Sequence, residues 1–202
     1  MNLPPTSGST GKPPLSREVL EGVRSRSESA LDAFFEYFFD RVFAHAARLV
    51  GNTPLAEDLT QEAFLRMHRG IDQLDPERDP APWVFTVVVN TVRDYWRSKQ
   101  HRTRSREIDI EEDSRTLRNG RPQPDRQLEE KESAKAIREA LGSLSESDRE
   151  ILLLRNEELL KASEIAEVLQ IKQEAVRQRH SRAVARLAKE YERLSDRSRG
   201  NR

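Results

Sequence analysis

The chain is predicted to be all-α, two small helical domains joined by a flexible linker. Three observations predict this. Apolar residues recur at helical spacing, as in Leu31, Phe34, Phe35, Phe38, Val42 and again in Val176, Ala183, Val184, Leu187, the expected buried positions of the last helix. Residues 103–127 are charged, contain Pro122 and Pro124, and have too few apolar side chains to build a middle domain. Ala162 to Leu194 reads as a short amphipathic helix, a break at Gln170-Ile171-Lys172, and a longer basic helix. That is a helix-turn-helix pattern.

The 202 residues suffice for one medium domain or two small ones. With 35% charged and 6% aromatic residues, no single large core is expected. Lys plus Arg equals Asp plus Glu at 35 each, yet the charge is segregated. Arg93 to Arg106 and Lys172 to Arg202 are basic, while Glu57 to Asp79 and Ile108 to Asp113 are acidic. Patches, not the sum, decide nucleic-acid binding. Cysteine is absent, which excludes a disulfide framework and thiolate metal sites. The four His residues are scattered and suggest no ligand set, so neither metal nor cofactor is expected. No apolar run approaches the roughly 18 residues of a membrane span, and the N-terminus lacks a signal-peptide core. The expected location is the cytoplasm, with no membrane insertion.

Residues 1–29 are expected to be a disordered or partly helical tail, rich in Pro, Ser, Thr and Gly at first. A first domain spans residues 30–102. Its opening helix, Leu31 to Val50, carries five Phe and is the centre of a first core, with Phe39 among its apolar positions. Gly51-Asn52 ends it. Thr53 is the expected N-cap and Pro54 the first residue of the next helix, which runs to about Ile71 with Glu57 and Asp58 in its first turn. Asp72 to Pro82 is a loop, because its prolines rule out a helix interior. A third helix runs from Pro82-Trp83 to near Arg102, since Trp83, Val84, Val87, Val88, Thr91, Val92 and Tyr95 keep helical spacing.

Beyond the linker, residues 128–194 form a second, four-helix domain. Leu128 to Leu141 is its first helix, and Ser145 caps a helix reaching about Glu158. The helix-turn-helix pair follows. Residues 195–202 are a basic tail, fraying from about Lys189.

Two matching signals in one chain are more specific than either alone. AEDLTQEAFLRMHRGI followed by PWVFTVVVNTVRDYWR resembles the second conserved region of bacterial sigma-70 family sigma factors. SLSESDREILLL followed by SEIAEVLQIKQEAVRQRHSRAVARL resembles their fourth region. The chain lacks the acidic N-terminal region and middle domain of the housekeeping members, and so looks like the two-domain extracytoplasmic-function (ECF) group. The resemblance covers residues 30 to 192.

It implies a subunit that binds core RNA polymerase and directs promoter-specific initiation. Asp58, Gln61, Glu62, Phe64, Leu65 and Met67 stand where the family grips the coiled coil of the polymerase clamp. Leu74, Trp83, Asn90, Arg93, Asp94 and Arg97 stand where it captures a base of the melted −10 non-template strand. Such a base needs hydrogen bonds to its edge and apolar walls. Lys172, Gln173, Arg177, Gln178, Arg179, Ser181 and Arg182 stand on the helix that reads duplex −35 DNA. There Arg pairs with guanine and Gln with adenine. The implied partners are core polymerase (clamp and flap), promoter DNA and an anti-sigma factor, with the free chain a monomer. Departures from the family pattern concern helix starts: Gln170 occupies the turn where Gly is frequent, Lys161 aligns with a small N-cap, and Ser163 is the expected substitute cap.

Two rivals stand beside this reading. One is a stand-alone helix-turn-helix regulator binding an operator as a dimer, which leaves the PWVFTVVVN block unexplained. The other is a metal-dependent enzyme using Glu57, Asp58, Glu62 and His68. Their spacing offers no Glu-x-x-His pair and no Gly-rich phosphate loop, so no enzyme is expected.

Overall fold

A computed structural model describes residues 14–105 and 126–199; the middle of the predicted linker and both chain ends lie outside these. Among the described residues the chain forms eight α-helices and one 3-10 turn, with no strand.

Helix α1 (Arg17–Arg24) lies within the segment expected to be disordered or partly helical. Ser16 caps it, its hydroxyl accepting the Val19 N–H at 3.3 Å. Leu20 and Val23 are buried, one turn apart, against the next helix. Gly22 permits the contact: a Cβ there would lie 2.7 Å from that of Ala30. Two apolar residues at i, i+3 suffice to dock a helix of this length.

Helix α2 (Glu28–Val50) buries Phe34, Phe38, Val42, Ala46 and Leu49 along one stripe. Gly51 ends it at φ +68°, a left-handed conformation that glycine adopts without strain. Asn52, not Thr53, caps α3 (Thr53–Arg69), its side-chain oxygen accepting the Leu55 N–H at 2.9 Å. The 3-10 turn Ile71–Gln73 leads to a loop ending at Pro80. The Asp79 carboxylate accepts the Ala81 N–H at 2.9 Å and starts α4 (Ala81–Ser105), slightly longer than expected.

In the second half, α5 (Arg126–Ser143) precedes α6 (Glu146–Asn156). Ser145 caps α6 at its Asp148 N–H (3.3 Å), so the helix starts three residues before the expected Arg149. Helix α7 (Ala162–Leu169) begins at Lys161, whose N–H donates to the Glu164 carboxylate at 2.6 Å. Ser163 therefore lies inside the helix and does not cap it. Gln170 adopts φ +55° in the turn, and α8 (Gln173–Arg199) continues straight through the residues expected to fray.

The two halves pack on one another. Phe34, Phe38, Val84, Phe85 and Val88 share one buried cluster with Ile151, Leu154, Ile165, Val168 and Leu187. A smaller cluster joins Leu49, Leu59 and Val92 to Leu153. Helices α2 and α4 thus meet α6 and α7, and the seam is apolar at its centre.

Candidate nucleic-acid and partner interface

Helix α3 presents Asp58, Gln61 and Leu65 to solvent. Glu62 is half-buried and accepts Arg66 Nε at 2.8 Å. Phe64 meets Phe35 edge-on (5.3 Å) and stacks on Phe39 at 6.0 Å. Phe39 and Leu65 are 51% and 52% exposed, so an apolar patch lies beside an acidic, hydrogen-bonding row. Two expectations change here. Met67 is fully buried under α3 and offers nothing to a partner. Phe39 leaves the core and joins the surface. The signal was present: Phe35, Phe39 and Phe43 beside Phe34, Phe38 and Val42 are too many large apolar residues on α2 for one helix stripe.

Arg66 ties this face to α4, its Nη1 donating to the Asp94 carboxylate at 2.6 Å. Asp94 also accepts Arg97 Nη2 at 2.8 Å. Hydrogen bonds from the Arg66 guanidinium to Glu62 and Asp94 raise its pKa. Asp94, with two arginines on it, positions Arg97, and its own charge opposes a DNA backbone.

At the start of α4, a cavity of about 200 Å³ is lined by Leu74, Asp75, Arg78, Trp83, Thr86 and Glu167, among others. This is below the roughly 300–1,000 Å³ typical of drug-sized ligands, a size for a small planar group. Leu74 is 2% exposed and supplies wall. Trp83 is half-buried, its ring 6.4 Å from Phe34, so it serves both the core and the cavity. Thr86 donates its hydroxyl to the Pro82 carbonyl at 2.7 Å. Asn90 is half-buried one turn further along α4.

Arg93 does not face open solvent. Its Nε and Nη2 donate to the two oxygens of Glu150 on α6, at 2.8 and 2.6 Å. The Glu150 side chain is 2% exposed. Glu158 is buried in the first half: Arg41 donates to it at 3.1 and 3.0 Å, and His45 Nδ1 lies 3.4 Å away. The Arg41 guanidinium also lies over the rings of Phe38 and Phe85, at 5.2 and 5.4 Å. Arg48 pairs with Glu157, whose carboxyl burial pushes up against the opposing pull of Arg48 and His45. Arg78 and Glu167 pair at 3.1 Å across the rim of the cavity. Arg149 donates to the carbonyls of Leu49 (2.5 Å), Leu141 (2.9 Å), Gly142 (2.7 Å) and Leu144 (3.1 Å). It caps the C-terminal ends of α2 and α5 together, and burial lowers its pKa.

Helix α8 differs. Lys172 in the turn and Gln173, Arg177, Gln178, Arg179, Ser181 and Arg182 on the helix are all exposed. Glu174 is the near carboxylate, 3.6 Å from Arg177 and 3.4 Å from Gln178. The buried side is Val176, Ala183 and Leu187; Val184, expected with them, is 38% exposed, because it lies next to Ala183 and falls past the edge of the stripe. Arg186 is held by Asp148 of α6 and braces the helix against its own domain.

A family model described as Sigma-70 region 2 matches residues 34–102, and one described as Sigma-70, region 4 matches residues 140–189. The chain is 33% identical over 149 residues to a probable RNA polymerase sigma factor RfaY of Xanthomonas campestris pv. campestris, covering 74% of this chain and 37% of that protein. It is 28% identical over 176 residues to the ECF RNA polymerase sigma factor BldN of Streptomyces coelicolor, covering 85% and 64%. The chain thus spans less than two thirds of the length of either relative. The fold resembles that of the sigma factor RpoE of Bartonella quintana, solved with the anti-sigma factor NepR, at TM-score 0.67 and 18% identity over 80% of this chain and 96% of that one. Among the described residues no helix is long and apolar enough to cross a membrane. With both region models matched in order along one helical chain, the protein belongs to the sigma-70 family of sigma factors, in its extracytoplasmic-function group.

Proposed function

We propose that the chain is a dissociable promoter-specificity subunit of bacterial RNA polymerase, working in the cytoplasm and carrying no catalytic residue. The observation that carries this is the pairing of two unlike nucleic-acid surfaces. Helix α8 bears an exposed row of Arg, Gln and Ser suited to base edges in duplex DNA. The cavity beside Trp83 and Leu74 is suited to one unstacked base, with Asn90, Arg93 and Arg97 along the same helix. The Phe39–Leu65 patch, with Asp58 and Gln61, is the surface for the polymerase clamp coiled coil. Mechanism follows from differential binding: melted −10 DNA is held better than duplex, so opening is favoured. Two weak sites on one chain, both docked on polymerase, act with high effective concentration. An anti-sigma factor covering these surfaces fits the same reading. A dimeric operator-binding regulator leaves the α3 patch and the α4 cavity without a role.

The test is run-off transcription with purified core polymerase and DNA from upstream of the chain's own gene. A transcript that depends on the chain is expected. Gln61→Ala is expected to reduce co-elution with core polymerase. Asn90→Ala is expected to keep co-elution and lose the transcript. Tight duplex binding by the free chain, without co-elution, would refute the proposal.

A further inference from the structure

We propose that α1 is the positioning element of the loop that walls the base-sized cavity, with Arg26 as its principal contact and Arg17 as its second. The inference rests on the function proposed above and deepens it, naming what holds residues 74–80 in place beside Trp83. The loop has two faces. One lines the cavity through Leu74, Asp75, Arg78 and Pro80. The other, through Asp75, Pro76 and Glu77, borders a groove against Arg17, Glu21 and Arg24. The loop's own hydrogen bonds fold it on itself. The Glu77 N–H donates to the Asp75 carboxylate at 3.0 Å, and the Arg78 N–H to the Asp75 carbonyl at 3.2 Å. Neither bond fixes the loop relative to α4. Its position has to be set by what supports it from behind.

Helix α1 and the residues that end it supply that support at three points. Leu20 and Val23 are buried in one cluster with Ile71 and Leu74, so the root of the loop rests on α1. Arg17 Nη2 lies 2.5 Å from Glu77 Oε1, further along the loop. Both partners of this pair are exposed, and exposed pairs contribute little to stability, so it orients the loop rather than stabilising the fold. Arg26 is the third point. It follows α1 at φ +62°, a left-handed conformation that strains a residue with a Cβ. Its N–H donates to the Val23 carbonyl at 3.0 Å and the Ser27 N–H to the Gly22 carbonyl at 2.9 Å, which closes the helix end. Glycine would do this without strain. The arginine adds its guanidinium. Nη1 donates to the His68 carbonyl in the last turn of α3 at 3.1 Å, and Nη2 reaches the Asp72 carboxylate at 3.5 Å. One side chain thus ties the end of α3 to the 3-10 turn from which the loop springs. A cation there also suits the helix dipole. Strain kept where glycine would serve the backbone better points to a role for the side chain.

Gln61 and Leu65 stay exposed with α1 in place, so the surface for polymerase does not depend on it, whereas capture of melted DNA does. Variants of the full chain separate the two. Arg26→Gly relieves the backbone as it gives up the guanidinium, so the unfolding midpoint should hold. Hydrogen exchange of the amides of residues 75–79 in the free chain should quicken severalfold, while α3 exchanges as before. Co-elution with core polymerase should be unchanged. In run-off transcription the plateau should fall severalfold, and the core concentration that gives half of it should not move. Arg17→Glu should produce a smaller loss of the same kind, and adding Glu77→Arg should restore the plateau. A helix that merely adds stability predicts no such rescue. Loop exchange that is unchanged in Arg26→Gly would overturn the inference. So would faster loop exchange with an undiminished plateau. If the unmodified chain directs no transcript, the function proposal fails on its own, and loop exchange still decides whether α1 holds the loop.

Discussion

Helices α4 and α8 carry the same kind of side chain and treat it in opposite ways. On α4, Arg93 is neutralised by a buried glutamate from the other half, and Arg97 is held by Asp94. On α8, Arg177, Arg179 and Arg182 project into solvent, and the nearest carboxylate is an exposed neighbour on the same helix. A net charge of zero conceals this. It arises because the acidic residues are spent on one of the two surfaces proposed for nucleic acid and not on the other. Arginine alone therefore does not make a surface available; its partner's burial decides.

The sharpest way to break this comparison is to remove one carboxylate from each environment. Glu158→Ala leaves the largely buried Arg41 guanidinium without its counter-charge. Breaking a buried pair in this way costs about 3–5 kcal/mol. Glu174→Ala removes an exposed carboxylate, whose loss is expected to stay within about 0.5 kcal/mol. Urea unfolding of the full chain measures both. Equal midpoint shifts would show that the two environments do not differ.

A second variant reads function and leaves the fold alone. Arg182 is exposed and pairs with no carboxylate among the described residues, so Arg182→Ala should not move the unfolding midpoint. If it pairs with a base edge, about 1–3 kcal/mol of discrimination is lost. Run-off transcription from the cognate promoter should then drop on the order of tenfold. Arg186→Ala is the contrast. It frees buried Asp148, so it should lower stability as well.

Much of this was legible in the chain itself. Helical spacing located α2, α3, α4 and the α7–α8 pair, and polar residue types marked the exposed face of α8. What stayed hidden was of two kinds. Direction around a helix was ambiguous where apolar residues were plentiful: Phe39 leaves the core it was expected to join, because spacing sets a stripe but not its edges, while Met67 is buried as its spacing on α3 implied and only the resemblance had set it among the partner contacts. Partners across the seam were invisible. Nothing local to Glu150 or Glu158 distinguishes them from solvated helix charges, since their arginines lie over fifty residues away in sequence. Ser163 failed as a cap for a local reason: Glu164 reaches back to the Lys161 N–H first.

Acid should act more gently, and on α8 rather than on its exposed face. His180 is half-buried, and burial together with the nearby Arg155 charge lowers its pKa below the ordinary 6.5. The neutral imidazole is thus favoured by folding. Its contribution is fully present above the ordinary value and is lost as pH falls through the lowered one. Glu157 has the opposite sign. Its carboxyl is raised from 4.5 by burial, so its contribution is present below that value and lost as pH rises through the raised one. Urea midpoints at about pH 7.5 and about pH 5.5 separate the two. His180→Gln should shrink the loss on acidification, and Glu157→Gln should remove the opposing gain that Glu157 makes as pH falls through its raised pKa.

The smallest expected effect lies in the turn that joins α7 to α8. Gln170 holds φ +55° and is exposed, so its side chain contributes little burial. A left-handed conformation costs an ordinary residue roughly 1–2 kcal/mol. Glycine removes that cost and gives back about 0.5–1 kcal/mol through its freer unfolded chain. Gln170→Gly should therefore raise the unfolding free energy by a few tenths to about 1 kcal/mol. The Gln170 N–H bonds to the Glu167 carbonyl at 3.3 Å, and the next N–H, on Ile171, bonds to Ala166 at 3.0 Å. These backbone bonds survive the substitution, so the angle between α7 and α8 is kept. Transcription from the cognate promoter should stay level while stability rises. A gain in stability coupled to lost transcription would mean that glutamine in this turn serves DNA contact, and would extend the exposed reading surface of α8 back into the turn.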